Sequence, residues 1–271
     1  MPTRLQTAPQ ANKTLRLGSV SFLNAKPLIW GLDDDPAIEL HLDVPSRLLD
    51  GLQTRQFDVA LLPVIDYQRM QGLRLIPSAG IGSDGETLTV RIFSRVPIER
   101  IATLACDTDS HTSVALARVL FAEHLGSRPT FIDLDDPAAE RAEARLLIGD
   151  KVVCEEPAGF DHQLDLGVAW KQMTGLPFVF ATWMATPGAE LGDLPQRLSH
   201  AKRVGLQHVD EIVRRYGIPR GWPADILRTY LTHYMRYDIG EPQLAAIRLF
   251  HQLAARHGMI RAARELDVVG A

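Results

Sequence analysis

The chain has 271 residues, with 33 acidic and 29 basic side chains, a formal net charge of −4, 46% hydrophobic residues and 23% charged residues. This is the composition of one or two ordinary soluble domains, so a miniprotein held together by disulfides or metal is excluded. A mildly acidic chain without a basic run also lacks the clustered Lys and Arg that nucleic-acid binding requires. We therefore expect no nucleic-acid partner.

The spacing of cysteines and histidines limits the kinds of metal or disulfide site that the chain can form, and the distribution of apolar residues limits its location in the cell. Cys106 and Cys154 are the only cysteines, they form no CxxC motif, and no histidines show HExxH spacing, so we expect reduced core thiols and no metal. The first fourteen residues are polar, and the following apolar stretches are broken by Asn24, Lys26 and Pro27. This predicts neither a signal peptide nor a membrane span, and we expect a cytoplasmic protein without a membrane partner.

Strand and helix patterns alternate along the first part of the chain. Residues 15–31 predict a strand, a loop and a helix that begins near Pro27, and residues 40–44 predict a short strand. Ser46 then suits the cap of a helix, and residues 57–64 predict a buried strand. Strands that alternate with helices favour a parallel sheet.

A second α/β unit is predicted from residue 101, with a strand to residue 106, a polar turn, and a helix that ends at Gly126. Residues 145–153 predict a strand and turn, and residues 176–184 predict a dense β strand. Beyond Pro187, periodic polar segments predict helices near 194–216, 223–236 and 241–257.

The order of these elements predicts an α/β protein with two lobes, in which the second is inserted into the first. Residues 15–95 and 183–271 are expected to form lobe 1 with its helical tail, residues 96–182 are expected to form lobe 2, and residues 1–14 are expected to be flexible. The chain then crosses between the lobes twice. A ligand is expected in the cleft between them, where closure would exclude water.

A glycine-rich loop is predicted at residues 80–85, between two β-rich pieces. Its GxGxxG spacing matches a dinucleotide-binding turn, but strand-type residues follow it where a helix is required, so NAD binding is rejected. Two alternatives remain: a turn that lines the cleft, where Ser83 offers its hydroxyl, and a plain connecting turn.

The segment from Thr108 to Ser113 ends a strand and begins a helix. Its backbone N–H groups, with the Thr112 and Ser113 hydroxyls, could bind a carboxylate at the positive end of the helix. The alternative, that Ser110 or Thr112 only caps the helix, is favoured on local grounds. His111 is of interest because it adjoins this anion site.

Asn24 follows the first strand and could present its amide to a ligand at the carboxyl ends of the strands, or could cap the next helix. Lys26 beside it is expected to be solvated. Gly149 and Asp150 end another strand and could line the cleft or form a turn. Tryptophans more often pack in a core than contact a ligand, and this applies to Trp170 and Trp183.

Six segments together resemble one family. They are VSFLNAKPL (20–28), FDVALLPVIDY (57–67), GIGSDG (80–85), TDSHTSVALARVL (108–120), LLIGD (146–150) and DLGVAWKQMTGLPFVFATW (165–183). The resemblance runs from about residue 15 to past residue 255, and it identifies the chain as similar to the chorismate dehydratases of the futalosine route to menaquinone. It implies a type II periplasmic-binding-protein-like fold with two lobes, each a mixed sheet flanked by helices, and a helical C-terminal tail.

The resemblance implies a lyase without metal or cofactor that acts on chorismate, as a monomer or homodimer. Chorismate would lose its C3 proton and C4 hydroxyl to give 3-[(1-carboxyvinyl)oxy]benzoate, and aromatisation would drive the reaction. Asn24 would be catalytic, orienting the substrate or hydrogen-bonding the leaving hydroxyl. The two substrate carboxylates would need two anion-binding regions, one at Thr112 and Ser113 and one at Ser83. The remaining implied substrate-binding residues are His111, Gly149 and Asp150.

The proton acceptor stays open, because Asn, Ser and Thr are not competent bases at neutral pH. Either Asp150 or His111 takes the proton, or a substrate carboxylate takes it while the protein positions the substrate, and we favour the second. The chain departs from the family pattern at residues 87–90, where a Ser-Val pair is commoner, and at Lys151, where a small residue is usual. Rival functions are the dihydroxynaphthoate synthase of the same route and a non-catalytic binding protein for an aromatic acid.

Overall fold

The chain folds around two separate β-sheets, as seen in a computed structural model that describes residues 14–107, 110–155 and 157–270. The strands are β1 (Leu15–Ser19), β2 (Ile38–Leu42), β3 (Val59–Pro63), β4 (Arg74–Ser83), β5 (Val90–Ser94), β6 (Thr103–Cys106), β7 (Thr130–Asp133), β8 (Ala144–Ile148), β9 (His162–Asp165), β10 (Phe178–Ala185) and β11 (Met235–Arg236). The α-helices are α1 (Pro45–Gln53), α2 (His111–Glu123), α3 (Asp150–Val153), α4 (Leu166–Thr174), α5 (Leu194–Gln207), α6 (Val209–Ile212), α7 (Ala224–Thr229) and α8 (Glu241–Arg256).

Both sheets are mixed, as expected for the predicted fold class. The first has the strand order β11-β4-β10-β3-β1-β2 and the second has the order β7-β6-β8-β5-β9. β1 pairs in parallel with β2 and β3, and β6 pairs in parallel with β7 and β8. The other pairs are antiparallel, so the alternation of strands and helices predicted only part of each sheet correctly.

The chain crosses between the sheets earlier than the sequence predicted. β5 pairs with β8 and β9 in the second sheet, and β10 pairs with β3 and β4 in the first. Residues 90–94 therefore belong with the second lobe and residues 178–182 with the first, which corrects the predicted boundaries at 95/96 and 182/183. The residue pattern of a strand reports its burial, but it does not identify the neighbour with which the strand pairs.

The predicted glycine-rich loop is largely strand, because β4 continues through Ser83. A Cβ at Gly80 would come within 2.7 Å of the Ala181 carbonyl oxygen, and one at Gly82 within 2.6 Å of the Phe178 carbonyl oxygen. The glycines therefore allow β10 to pair closely with β4, across a stretch where the register of the pair shifts. This close approach explains Gly80 and Gly82, whereas Gly85 follows the strand with a φ of 107°.

The C-terminal tail is helical but contacts both lobes. The helix predicted at 223–236 consists of α7, a π-helical segment at Tyr230–Tyr234, and the short strand β11, which joins the first sheet. Phe250 of α8 packs edge-on against Trp170 of α4 and Phe178 of β10. The predicted core positions of Trp170 and Trp183 are confirmed. The prediction for residues 1–14 lies, except for Thr14, outside the described residues.

No helix in the described parts of the chain combines the length and the apolar character needed to cross a bilayer. The cysteines differ from the expectation of two core thiols. Cys106 is buried, and burial raises the pKa of its thiol to about 12. Cys154 is exposed, and its sulfur lies against the Arg220 carbonyl oxygen.

The first crossing segment is held by one carboxylate, that of Asp165. Asp165 accepts hydrogen bonds from the N–H groups of Thr87 and Leu88 and from the Thr87 hydroxyl, at 2.8 to 3.1 Å. It also caps α4 by accepting the N–H groups of Gly167 and Val168 at 2.9 and 3.1 Å. Leu88 has a φ of 64°, a left-handed conformation that costs energy for a branched residue. The bonds that Asp165 accepts from the Leu88 N–H and from the preceding Thr87 offset this cost.

We expect Asp165→Ala to destabilise the protein by about 3 kcal/mol or more, because several N–H donors lose a charged acceptor in a largely buried position. Chemical denaturation measures the effect. Asp136→Ala is the matched control, because Asp136 is an exposed helix cap that accepts only the Ala138 N–H, so its loss should cost about 1 kcal/mol. Equal losses for the two variants would contradict the special role of Asp165.

His251 gives the fold a pH dependence. It is 1% exposed, its Nε2 donates to the Val64 carbonyl oxygen at 2.8 Å, and its Nδ1 accepts from Gln68 Nε2 at 2.8 Å. Burial lowers its pKa from 6.5 to about 4. Between those pH values the unfolded chain binds a proton that the folded chain does not, so the unfolded state is stabilised relative to the folded state as the pH falls.

We therefore expect the free energy of unfolding to fall by up to about 3 kcal/mol through this group as the pH drops from 7 to 4. In His251→Gln the protein should be less stable at pH 7 but should show a flatter pH dependence in denaturation experiments. The exposed residue His124 serves as the control, since His124→Gln should keep the slope of the original chain. An unchanged slope in His251→Gln would contradict the assignment.

Candidate functional site

A cavity of about 220 Å³ lies between the two sheets. Both lobes contribute to it, and several lining residues directly follow the carboxyl ends of parallel strands, where open α/β sheets place their ligands. One part of the lining is apolar and includes Leu23, Leu61, Ile81, Ile148, Phe180 and Met235. The polar lining consists of Asn24, Thr89, Asp107, Ser110, Thr112, Ser113, Asp150, Lys151 and Tyr230, together with the Trp222 indole. The cavity thus suits a small ligand with an apolar ring and polar substituents.

Asn24 contributes to the cavity from the first lobe. It is the second residue of a 3-10 helix at Leu23–Ile29 and not its cap, so the capping alternative is wrong. Its Nδ2 donates to the Tyr230 hydroxyl oxygen at 3.1 Å, and Thr89 Oγ1 donates to the same oxygen at 3.0 Å. The Asn24 Oδ1 is buried and has no hydrogen-bond partner among the described residues.

The N-terminus of α2 forms part of the second-lobe wall. Ser110 is its cap, with Oγ accepting the Ser113 N–H at 3.3 Å and donating to Ser113 Oγ at 2.7 Å. Capping and cavity lining thus occur together in this segment. Thr112 is 1% exposed, and its hydroxyl has no hydrogen-bond partner within the described residues. An anion in the cavity would meet this hydroxyl at the positive end of the helix dipole.

Gly149 and Asp150 both line the cavity. Gly149 has a φ of 59° at the start of α3, and its N–H donates to the Thr89 carbonyl oxygen at 2.9 Å. Asp150 Oδ1 accepts from Trp222 Nε1 at 2.8 Å, and Arg220 lies 3.8 Å from its other oxygen. The Asp150 carboxylate is therefore held by hydrogen bonding across the cleft.

Lys151 brings a positive charge to the cavity. Its Nζ donates to Asp107 Oδ2 at 2.7 Å, and Asp107 is 3% exposed at the end of β6. Lys151 itself keeps 42% of its side chain exposed. A ligand carboxylate that reaches this rim would meet an ammonium group already positioned by a buried acid.

Two predicted binding residues do not line the cavity. Ser83 is fully buried at the end of β4, and its Oγ would lie 2.8 Å from a Cβ placed on Gly167, so it packs against α4. His111 lines a separate groove, where its Nδ1 lies 3.1 Å from Asp66 Oδ2 and 3.0 Å from Arg69 Nη1. His111 and the adjacent Thr112 therefore line different cavities.

Lys26 is also not where the sequence predicted. It is 7% exposed, and its Nζ lies 4.7 Å from the centre of the Tyr216 ring. Burial and the nearby Arg220 and Arg215 lower the pKa of its ammonium group. The aliphatic stem of Lys26 is therefore part of the packing, and the aromatic ring compensates the charge in part.

Comparison with known proteins identifies the family. The family described as menaquinone biosynthesis matches residues 15–256. The chain belongs to this family. It is 29% identical over 257 residues to a chorismate dehydratase of Thermus thermophilus, covering 86% of this chain and 93% of that protein. It is 25% identical over 243 residues to a chorismate dehydratase of Campylobacter jejuni, covering 86% and 94%. The resemblance noted from the motifs is confirmed.

Solved structures confirm the fold of this family member. A protein of Archaeoglobus fulgidus superimposes with a TM-score of 0.71 at 16% identity, over 92% of this chain and 99% of that one. The periplasmic aliphatic sulphonate binding protein of Escherichia coli superimposes with a TM-score of 0.63 at 14% identity, over 93% and 89%. At such low identity these likenesses establish the periplasmic-binding-protein-like fold alone.

Sequence reasoning missed several residues of the cavity. Tyr230 lies in a tail segment that was predicted only as a helix, 206 positions from Asn24, and no local pattern pairs the two. Trp222 and Thr89 were missed for the same reason. Asp107 was detectable, since it directly follows a predicted strand, in the position that made Asn24 and Asp150 candidates.

Proposed function

We propose that this protein is a chorismate dehydratase, which removes water from chorismate to give 3-[(1-carboxyvinyl)oxy]benzoate in the cytoplasm, within the futalosine route to menaquinone. Membership of the menaquinone biosynthesis family and similarity to two chorismate dehydratases support the reaction. The observation that carries it is the cavity, where apolar walls surround a group of polar and charged side chains of both lobes. Chorismate has the matching form, an unsaturated ring with one hydroxyl and two carboxylates.

The polar groups of the cavity divide between the parts of this substrate. The unpartnered Thr112 hydroxyl and the α2 N-terminus would bind one carboxylate, as predicted from the sequence. Ser83 cannot supply the second region because it lies outside the cavity lining, and we assign that role to Lys151. The Asn24 amide, in the first-lobe wall, would meet the C4 hydroxyl. The apolar walls would hold the ring and exclude water from it.

The positions of His111 and Asp150 limit which group could accept the C3 proton. His111 is separated from the cavity, so it is not placed to take the C3 proton. Asp150 lines the cavity, but its carboxylate already accepts the Trp222 indole N–H. A substrate carboxylate remains the acceptor that we propose, with the protein supplying orientation. The side-chain enolpyruvyl carboxylate is attached through the C3 oxygen and can therefore approach the C3 hydrogen.

The first test is to incubate the purified protein with chorismate alone and to follow the diene absorbance and the mass of the product. We expect loss of the diene together with loss of one water. Asn24→Ala should lower turnover by about a hundredfold or more while changing the free energy of unfolding by about 1 kcal/mol or less.

Each other outcome of this assay has a defined meaning. Binding of chorismate without conversion would favour the non-catalytic binding protein. Neither binding nor conversion would favour the dihydroxynaphthoate synthase, which acts on a bulkier substrate. If Asp150→Asn folded and bound chorismate but lost turnover by several orders of magnitude, the proton acceptor would be Asp150 and not the substrate.

The role of Lys151 gives a separate prediction. In Lys151→Met we expect the KM for chorismate to rise about tenfold, because a carboxylate loses its ammonium partner, while kcat changes by about threefold or less. Lys171→Met is the matched control, since Lys171 has a similar exposure of 40% and pairs with Asp84 away from the cavity lining. An unchanged KM in Lys151→Met, or an equal change in the control, would contradict the assignment.

A further inference from the structure

Tyr230 is a cavity residue whose hydroxyl the proposed reaction has not yet used. It is 2% exposed, it lines the cavity, and its oxygen accepts hydrogen bonds from Asn24 Nδ2 at 3.1 Å and Thr89 Oγ1 at 3.0 Å. A phenol oxygen that accepts two hydrogen bonds still has its own proton to donate. Among the described residues, both hydrogen bonds of the Tyr230 hydroxyl are ones that its oxygen accepts.

The unpartnered Oδ1 of Asn24 adds an acceptor to this donor. Asn24 is fixed by its bond to Tyr230, so its Oδ1 and the Tyr230 proton are presented by one hydrogen-bonded unit. An alcohol is the group that uses both, because its proton can be donated to Oδ1 while its oxygen accepts from the phenol. A carboxylate could use only the phenol.

We propose that Tyr230 is the proton donor to the leaving C4 hydroxyl of chorismate, that Asn24 Oδ1 accepts the proton of that hydroxyl, and that Thr89 positions Tyr230. This inference rests on the proposed function. It refines the role expected for Asn24, whose Nδ2 donates to Tyr230 while its Oδ1 faces the leaving group.

The reaction balances with Tyr230 in this role. The acceptor carboxylate takes the proton from C3, and the C3–H electron pair forms the C3–C4 π bond. The C4–O bond breaks with its electron pair on oxygen, which takes the Tyr230 proton and leaves as water. The proton removed from C3 then returns, directly or through solvent, to the Tyr230 phenolate. The net change is the loss of one water from chorismate.

The protonation state and the setting of Tyr230 agree with this role. Burial raises the pKa of its phenol to about 12, so the group keeps its proton at neutral pH and transfers it only to a strongly basic oxygen, such as that of the departing hydroxyl. Tyr230 also begins a π-helical segment, a distortion frequent at functional sites. Thr89 follows Leu88, whose left-handed conformation is held by Asp165. Tyr230 and Thr89 thus both lie next to irregular backbone, in a π-helical segment and after a left-handed residue.

The test compares Tyr230→Phe with Tyr237→Phe in the complete protein. Tyr237 is a suitable control because it is also buried, 4% exposed, and its hydroxyl lies outside the cavity lining. Tyr230→Phe should lower kcat by about a hundredfold to a thousandfold with little change in KM, while Tyr237→Phe should retain its kcat. Thr89→Val should lower kcat by a smaller factor.

The isotope effect on chorismate labelled with ¹⁸O at C4 distinguishes catalysis from structure. Without a proton donor, C–O cleavage becomes more rate-limiting, so the effect on kcat/KM should increase in Tyr230→Phe above that of the unsubstituted protein. A fall in kcat with an unchanged isotope effect, or a fall of less than about threefold, would overturn the proposal. If the unsubstituted protein does not convert chorismate, the proposed function itself fails, and this outcome is distinct from both.

Discussion

The Asp165 carboxylate determines how the two lobes are joined. The chain leaves the first sheet after Ser83 and enters the second at Val90, and its path between them requires Leu88 to adopt a left-handed conformation. Asp165 accepts the N–H groups of Thr87 and Leu88 in this turn with one oxygen and caps α4 with the other. One buried anion therefore satisfies the backbone donors of the crossing segment and of a helix terminus, both of which would otherwise lack partners.

The cavity depends on the same crossing segment. Thr89 immediately follows the turn that Asp165 holds, and its carbonyl oxygen accepts the Gly149 N–H from the second lobe. Its hydroxyl bonds Tyr230, from the C-terminal tail, which in turn bonds Asn24 of the first lobe. Groups from three separated parts of the chain are thus brought to one point by a connection, and not by a single helix or strand. A displacement of this connection would shift donor and acceptor together.

Local sequence patterns predicted the secondary structure and several cavity residues. They did not predict features that depend on strand pairing or on contacts between distant residues. Strands, helices and buried tryptophans follow from hydrophobic periodicity, and Asn24, Thr112 and Gly149 follow from their places after strands or at a helix start. Ser83 was expected in a loop at the cavity, but Gly80 and Gly82 allow a close strand pair there, and their local sequence pattern is the same as that of a turn. His111 was expected beside Thr112 in the same site, but adjacent residues on a helix face different directions. Tyr230 could not be predicted, since its partners are distant in sequence.

The small number of charged groups that would contact the substrate can be explained by which of its groups change during the reaction. Substrate and product carry the same two carboxylates, so strong ionic contacts to them would stabilise both states equally and would not speed the chemical step. In a chain of net charge −4, neutral donors and a lysine already paired with Asp107 limit that uniform binding. The bond that differs between substrate and transition state is the one from C4 to oxygen. Charge develops on that oxygen as it leaves, and the buried Tyr230 hydroxyl, held in place by Asn24 and Thr89, is the preorganised donor that would meet it there.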